Sequence, residues 1–239
     1  LYNNIFIPGN RTRLSKEDIV DVLSTIRETL IYQHNGLFVY LVDNLINKIH
    51  VFGLHFASLD IRQDSSIHNK VFQALAAEGE VLPADYPKLS EEKKIEFLTG
   101  NIKVLSEKDY NDPVINDTLE SIRAIKLIQE YNGEPGCNRY IISHSSSALN
   151  VLEVYGLFIL CGWKKEELNV DIVPLIETID DLRNAASIAQ TLYGDTEYRK
   201  HLKRRNNRQV IMLGFSDGTK DGGYFMGNWS IYKTKEELT

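Results

Sequence analysis

RQVIMLGFSDGTKDGGY, residues Arg208–Tyr224, is the stretch that decides the fold. Its apolar run Val210–Phe215 stops at Ser216-Asp217, a loop of Gly, Lys and Asp follows, and Phe225–Glu237 has a helical pattern. Near-continuous apolar runs mark the strands of parallel sheets, which are covered on both faces. α/β enzymes place their chemistry where such strands end. The expectation is a buried strand that delivers an acid and a lysine to the carboxyl edge of a sheet.

A second strand is built the same way. Val170–Ile176 is apolar apart from Asp171 and ends at Glu177-Thr178, before Asp180-Asp181 and another helical pattern. Two such strands could bring Glu177 and Asp217 to one rim. Paired carboxylate oxygens suit a hard divalent cation such as magnesium or manganese. Lys220, three residues past Asp217, would place positive charge beside it for an anionic substrate. Helix capping is the competing explanation, because Thr178-Ile179-Asp180-Asp181 fits a cap and Ser216 or Asp217 could cap the last helix. Position alone leaves ligand and cap open.

The bulk composition narrows the function. The 239 residues are 43% hydrophobic, enough for one sizeable core. A net charge of −6 argues against nucleic acid or an anionic membrane as main partner. Lys200–Arg208 is the one dense basic cluster and reads as a helix end. Two cysteines, Cys137 and Cys161, form no CxxC pair and fit a reduced, cytoplasmic setting. No apolar run is long enough to cross a bilayer, and no leader pattern is present. Leu1 and the Glu236–Thr239 end both read as cut, so the expectation is a piece of a longer protein.

In chain order, Leu1–Asn10 reads as extended with a Pro8-Gly9 turn, and helices are expected from Ser15 to about Leu30 and over Leu37–Ile49. Val51–Ile61 is the first strand candidate and leads into Arg62. That guanidinium must pair with an acid such as Asp60 or Asp64, or else serve as a fork for phosphate or carboxylate. Ser65 or Ser66 starts a helix in which His68 is a packing or surface residue. Helices over Ser90–Leu98 and Pro113–Tyr131 precede a second strand, Asn138–Ser143. The following His144-Ser145-Ser146-Ser147 is a cap or an anion-binding turn, and His144 has no acid partner nearby in sequence to make a Ser/His nucleophile. Helix Ala148–Cys161, the Glu177 strand, helices Asp181–Leu192 and Thr196–Arg205 and the Asp217 strand complete a β–α alternation. This points to a parallel α/β arrangement.

The collected motifs resemble phosphoenolpyruvate carboxylase. Leu59–Ser65 is similar to that family's LDIRQES, Val173–Leu182 to VPLFETLDDL, Gly214–Gly222 to GYSDSAKDAG, and Tyr140–Ser143 to its YVIS strand. The resemblance implies a partial TIM-like (β/α) barrel of the phosphoenolpyruvate/pyruvate type with additional helices. Residues 1–239 would be one domain, a helical opening segment 1–50 and β/α units 51–239, central in a cytoplasmic, usually tetrameric lyase. It implies formation of oxaloacetate and phosphate from phosphoenolpyruvate and bicarbonate. Glu177 and Asp217 would hold magnesium or manganese, with Arg62 and Lys220 as catalytic and substrate-binding residues. His144 and its serines depart from the family's Met, Ala and Lys/Thr. The family's catalytic histidine motif and Gly-Arg-Gly-Gly loop do not occur in these residues, so the 239 residues alone are expected to be inactive. The alternatives are another metal-dependent enzyme acting on pyruvate or its enol, and a non-catalytic α/β binding or scaffold module.

Overall fold

The computed structural model describes residues 14–106 and 108–239, so the extended reading of Leu1–Asn10 lies outside the described residues. The chain divides into two compact units. One holds residues 14–59 with Leu127–Cys137, the other Asp60–Lys126 with Asn138–Thr239.

In the first unit, Ser15 starts helix α1 (Lys16–Gln33) through a capping box. Its hydroxyl accepts from the Asp18 N–H at 3.0 Å, and the Asp18 carboxylate accepts from the Ser15 N–H at 2.9 Å. Helix α2 (Val39–Phe52) packs beside it, and Arg27 reaches Asp43 at 2.6 Å. Here the expectation of a strand over Val51–Ile61 fails for all but its end, where Asp60 and Ile61 are in strand. Val51 and Phe52 finish α2, Gly53 ends it at φ 57°, and the chain turns through Phe56, stacked on Phe52. The apolar run was a helix end, a case that periodicity over so few residues cannot separate from a strand.

The second unit is α/β. Strands β1 (Asp60–Asp64), β2 (Arg139–Ser143), β3 (Asp171–Ile176) and β4 (Met212–Leu213) pair in chain order and all parallel. Between them run α3 (Ser65–Glu78), α4 (Glu91–Thr99), α5 (Pro113–Asn132), α6 (Ala148–Leu160), α7 (Ile179–Gly194) and α8 (Thr196–Arg204), and α9 (Phe215–Leu238) follows β4. The register aligns Arg62 with Ile141 and Ile141 with Val173, so these side chains share one face. There Ile141, Val173 and Leu175 form a small cluster with Val210. The opposite face carries Tyr140, wedged between His68 of α3 and Phe158 of α6, with its hydroxyl 2.9 Å from the His68 Nε2. His68 is therefore a buried packing histidine.

The expected buried strand Val210–Phe215 is also corrected. Only Met212 and Leu213 pair, Met212 is 37% exposed, and Phe215 already belongs to α9. Among the described residues β4 pairs with β3 alone. The loop expected over 216–224 is helical instead. It is broken only at Gly223, whose φ 81° and ψ 166° need a residue without Cβ. Beyond this break the chain folds back, and a Cβ on Gly227 would lie 3.2 Å from the Gly218 backbone.

No helix among the described residues is long and apolar enough to cross a membrane. Helix α6 is buried on all sides from Val151 to Leu160, including Glu153. Burial pushes the Glu153 carboxyl up to about 7, against the opposing pull of Lys94 and Asn150, while Glu91 adds to the rise. At the amino end of β3, buried Asp171 is gripped by the Arg205 Nε at 2.6 Å, with the exposed Arg208 at 3.5 Å.

Two stability predictions follow from these groups. Asp171→Ala removes the buried carboxylate that braces Arg205 and should cost about 3 kcal/mol, whereas Arg208→Ala should cost about 0–1 kcal/mol. Urea unfolding measures both, and equal costs would contradict the assignment. For Glu153, the unfolded chain ionises first as pH rises through 4.5, while the folded chain keeps its proton to about 7. Stability therefore falls with rising pH across that window. The stability of Glu153→Gln relative to the parent should accordingly rise by roughly 3 kcal/mol between pH 4.5 and 7.5, and a flat difference would refute it.

Candidate active site

The parallel order brings four strand ends to one edge, and parity along the strands selects what faces inward there. Arg62 and Asp64 on β1, Ser143 on β2, and Glu177 just past β3 continue the face that carries Ile141, Val173 and Leu175. Glu177 is the buried member, with its side chain 5% exposed. Its Oε2 accepts the main-chain N–H of His144 at 3.0 Å, and its Oε1 faces the Arg62 Nη2 at 3.4 Å. Arg62 thus pairs with Glu177, across 115 residues of chain, rather than with Asp60 or Asp64 as its local sequence suggested. Asp60 instead lies 3.8 Å from Arg139.

Capping does not account for Glu177. The cap of α7 is Thr178, whose hydroxyl accepts the Asp181 N–H at 3.1 Å and donates to the Asp181 carboxylate at 2.6 Å. Nor do Ser216 or Asp217 cap α9, whose N-cap is Gly214. Asp217 sits in the first turn of α9, where an acid suits the helix dipole, and pairs with Lys220 at 2.8 Å. That contact holds the Asp217 carboxyl below its ordinary value, and the charges of Arg62 and His144 lower it further. Lys220 is raised by Asp217 first and by the Glu177 charge second. The four side chains proposed from sequence, Arg62, Glu177, Asp217 and Lys220, therefore share one electrostatic neighbourhood. The close approach of β3 and α9 supports this, since a Cβ on Gly214 would lie 3.1 Å from the Glu177 Cγ.

Three features escaped the sequence reading. His144 does have an acid partner, since its Nδ1 lies 2.5 Å from the Asp64 Oδ2, with its Nε2 3.6 Å from the Glu177 Oε2. Its hydrogen bond to Asp64 raises the imidazole, burial opposes this slightly, and Glu177, Asp64 and Asp181 add to the rise. The Asp64 carboxyl is pushed up by burial but outweighed by Ser66 and His144, which bring it down to about 2. Asp64, not Ser65 or Ser66, also caps α3, accepting the Ser66 N–H at 2.9 Å. Asp221 accepts the first N–H of α7, from Ile179, at 2.9 Å. The His144–Asp64 and Ile179–Asp221 contacts span 80 and 42 residues of chain, so no local spacing could signal them, whereas the Asp64 cap reaches only two residues ahead.

The serine turn is used for structure. Ser147 is the N-cap of α6 with Asn150 completing the box, and the Ser65 hydroxyl donates to the His144 carbonyl at 2.7 Å. No three His, Cys, Asp or Glu side chains among the described residues cluster as a metal cage. Glu177 and Asp217 form at most a two-carboxylate site, the kind in which a hard cation keeps several waters.

The profile of the phosphoenolpyruvate carboxylase family matches residues 4–239. Among similar proteins, the phosphoenolpyruvate carboxylase of Nitrosomonas eutropha is 36% identical over 234 residues, covering 94% of this chain and 25% of that protein. The enzyme of the same name from Nitrosomonas europaea is 35% identical over 234 residues, with the same coverage. That from Gloeobacter violaceus is 32% identical over 205 residues, 82% of this chain and 22% of that protein. The chain spans about a quarter of the length of these relatives. On the match across nearly its whole sequence, the chain belongs to the phosphoenolpyruvate carboxylase family.

Proposed function

We propose that this chain is the central part of a phosphoenolpyruvate carboxylase, a lyase that forms oxaloacetate and phosphate from phosphoenolpyruvate and bicarbonate. Its four parallel strands would be part of a closed (β/α) barrel of the TIM type, in a cytoplasmic, tetrameric enzyme. The observation that carries this reading is the gathering of Glu177, Arg62, Asp217 and Lys220 at the carboxyl edge.

Glu177 and Asp217 would hold magnesium or manganese. Their hard oxygen donors fit such an ion, and among the described residues the Glu177 Oε1 is engaged only by the long 3.4 Å contact to Arg62. When bound, the ion supplies Lewis-acid stabilisation of negative charge developing on substrate oxygens. The remaining work falls to the chain itself. Arg62, 56% exposed, presents a planar fork matched to a phosphate. Lys220, also exposed, would hold the anionic reactants together as bicarbonate attacks phosphorus. That attack yields carboxyphosphate and the enolate, and the new carbon–carbon bond then forms with release of phosphate. Fixed cations facing these anions need no reorganisation during the reaction.

The test is a manganese titration of the full-length polypeptide. Glu177→Gln and Asp217→Asn should each weaken manganese binding at least about tenfold and lower turnover about a hundredfold or more. Unchanged affinity in both would favour the non-catalytic scaffold reading, in which Asp217 is merely the first-turn acid of α9. Residues 1–239 alone should form no oxaloacetate above background with phosphoenolpyruvate, bicarbonate and magnesium, because the family's catalytic histidine motif and Gly-Arg-Gly-Gly loop do not occur in them. Turnover by those residues would overturn that expectation.

A further inference from the structure

We infer that His144 is a positioning residue for Glu177 that acts through its main chain, its side chain serving to hold that main chain in place. The inference rests on the metal-site reading above. His144 has φ 50°, the left-handed region that a non-glycine residue adopts only when its surroundings over-determine it. Five hydrogen bonds do so. The Ser65 hydroxyl donates to its carbonyl at 2.7 Å, and its imidazole lies 2.5 Å from the Asp64 Oδ2. Asp64 is itself fixed by the Ser66 hydroxyl at 2.6 Å and N–H at 2.9 Å. The next residue, Ser145, donates its N–H to the Leu175 carbonyl on β3 at 3.2 Å.

The consequence of this strained turn is one aimed donor. The His144 N–H meets the Glu177 Oε2 at 3.0 Å, while Oε1 has only the looser Arg62 contact among the described residues. One carboxylate oxygen is thus tied to the scaffold and the other is left for a cation. A turn that merely linked β2 to α6 could run through the ordinary right-handed or extended regions. Here the left-handed conformation points the N–H at the buried carboxylate.

The experiment compares three variants that all lack the imidazole, so that any effect of its charge cancels among them. In the full-length polypeptide, His144→Gly and His144→Asn retain the left-handed backbone easily, whereas the β-branched His144→Val does not. Manganese affinity, read by electron paramagnetic resonance of the free ion, should agree within about threefold for H144G and H144N and be at least about tenfold weaker for H144V. Circular dichroism and the unfolding midpoint check that H144V is folded. If it is not, Ser65→Ala, which loosens the same turn from its carbonyl, should weaken affinity measurably while leaving every side chain of the metal site intact. Equal affinity of H144V and H144G, or of Ser65→Ala and the parent where H144V does not fold, refutes the inference. Should Glu177→Gln itself leave manganese affinity unchanged, the metal-site reading fails, an outcome separable from failure of the positioning role alone.

Discussion

A carboxylate taken out of water must be met by donors, and that requirement at Glu177 organises the carboxyl edge of the sheet. Its two oxygens are met from two directions, by the His144 N–H from the end of β2 and by Arg62 from β1. Neither donor could arrive unless β1, β2 and β3 were adjacent and parallel, with the register that puts Arg62, Ile141 and Val173 on one face. The connection after β2 adds to the cost by holding His144 at positive φ. The hydrogen bonds to Asp64 and Ser65 offset that cost.

Strand β3 carries an acid at each end, and the two are held differently. At its amino end Asp171 meets Arg205 at 2.6 Å, and that guanidinium is itself enclosed, so the pair acts as a fixed brace between β3 and the turn after α8. At its carboxyl end Glu177 meets Arg62 at 3.4 Å, and that guanidinium is largely exposed. A long contact to an exposed partner is weakly held and readily exchanged, which is what the proposed anion and cation site would require. The same reasoning applies to Lys220, whose pairing with Asp217 is an exposed i,i+3 contact within one helical turn.

Local sequence was a good guide to the elements and a poor guide to contacts. Capping boxes at Ser15 and Ser147 and the Thr178 cap lie where the residue types indicated, because caps are satisfied within a few residues. The strand expected over Val51–Ile61 began only at Asp60, its earlier part being the end of α2 and a turn, since a short apolar run is compatible with either until Gly53 and Phe56 take positive φ. The run Val210–Phe215 shrank to a two-residue strand because α9 begins at Phe215 and takes over the backbone hydrogen bonds. The partners of Arg62 and His144 were invisible in sequence. Both are chosen by which strand ends become neighbours, at separations of 115 and 80 residues.

The amino-acid sequence by itself determined the β–α alternation, the family, and the acids Glu177 and Asp217 that follow two of its apolar runs. These depend on residue type and short spacing, which are readable without coordinates. The tertiary structure decided which of those side chains meet, that Glu177 is not a cap, and that a histidine in a left-handed turn holds it. Such facts follow from strand order and register, and physical contact between distant residues exists only once the sheet has formed.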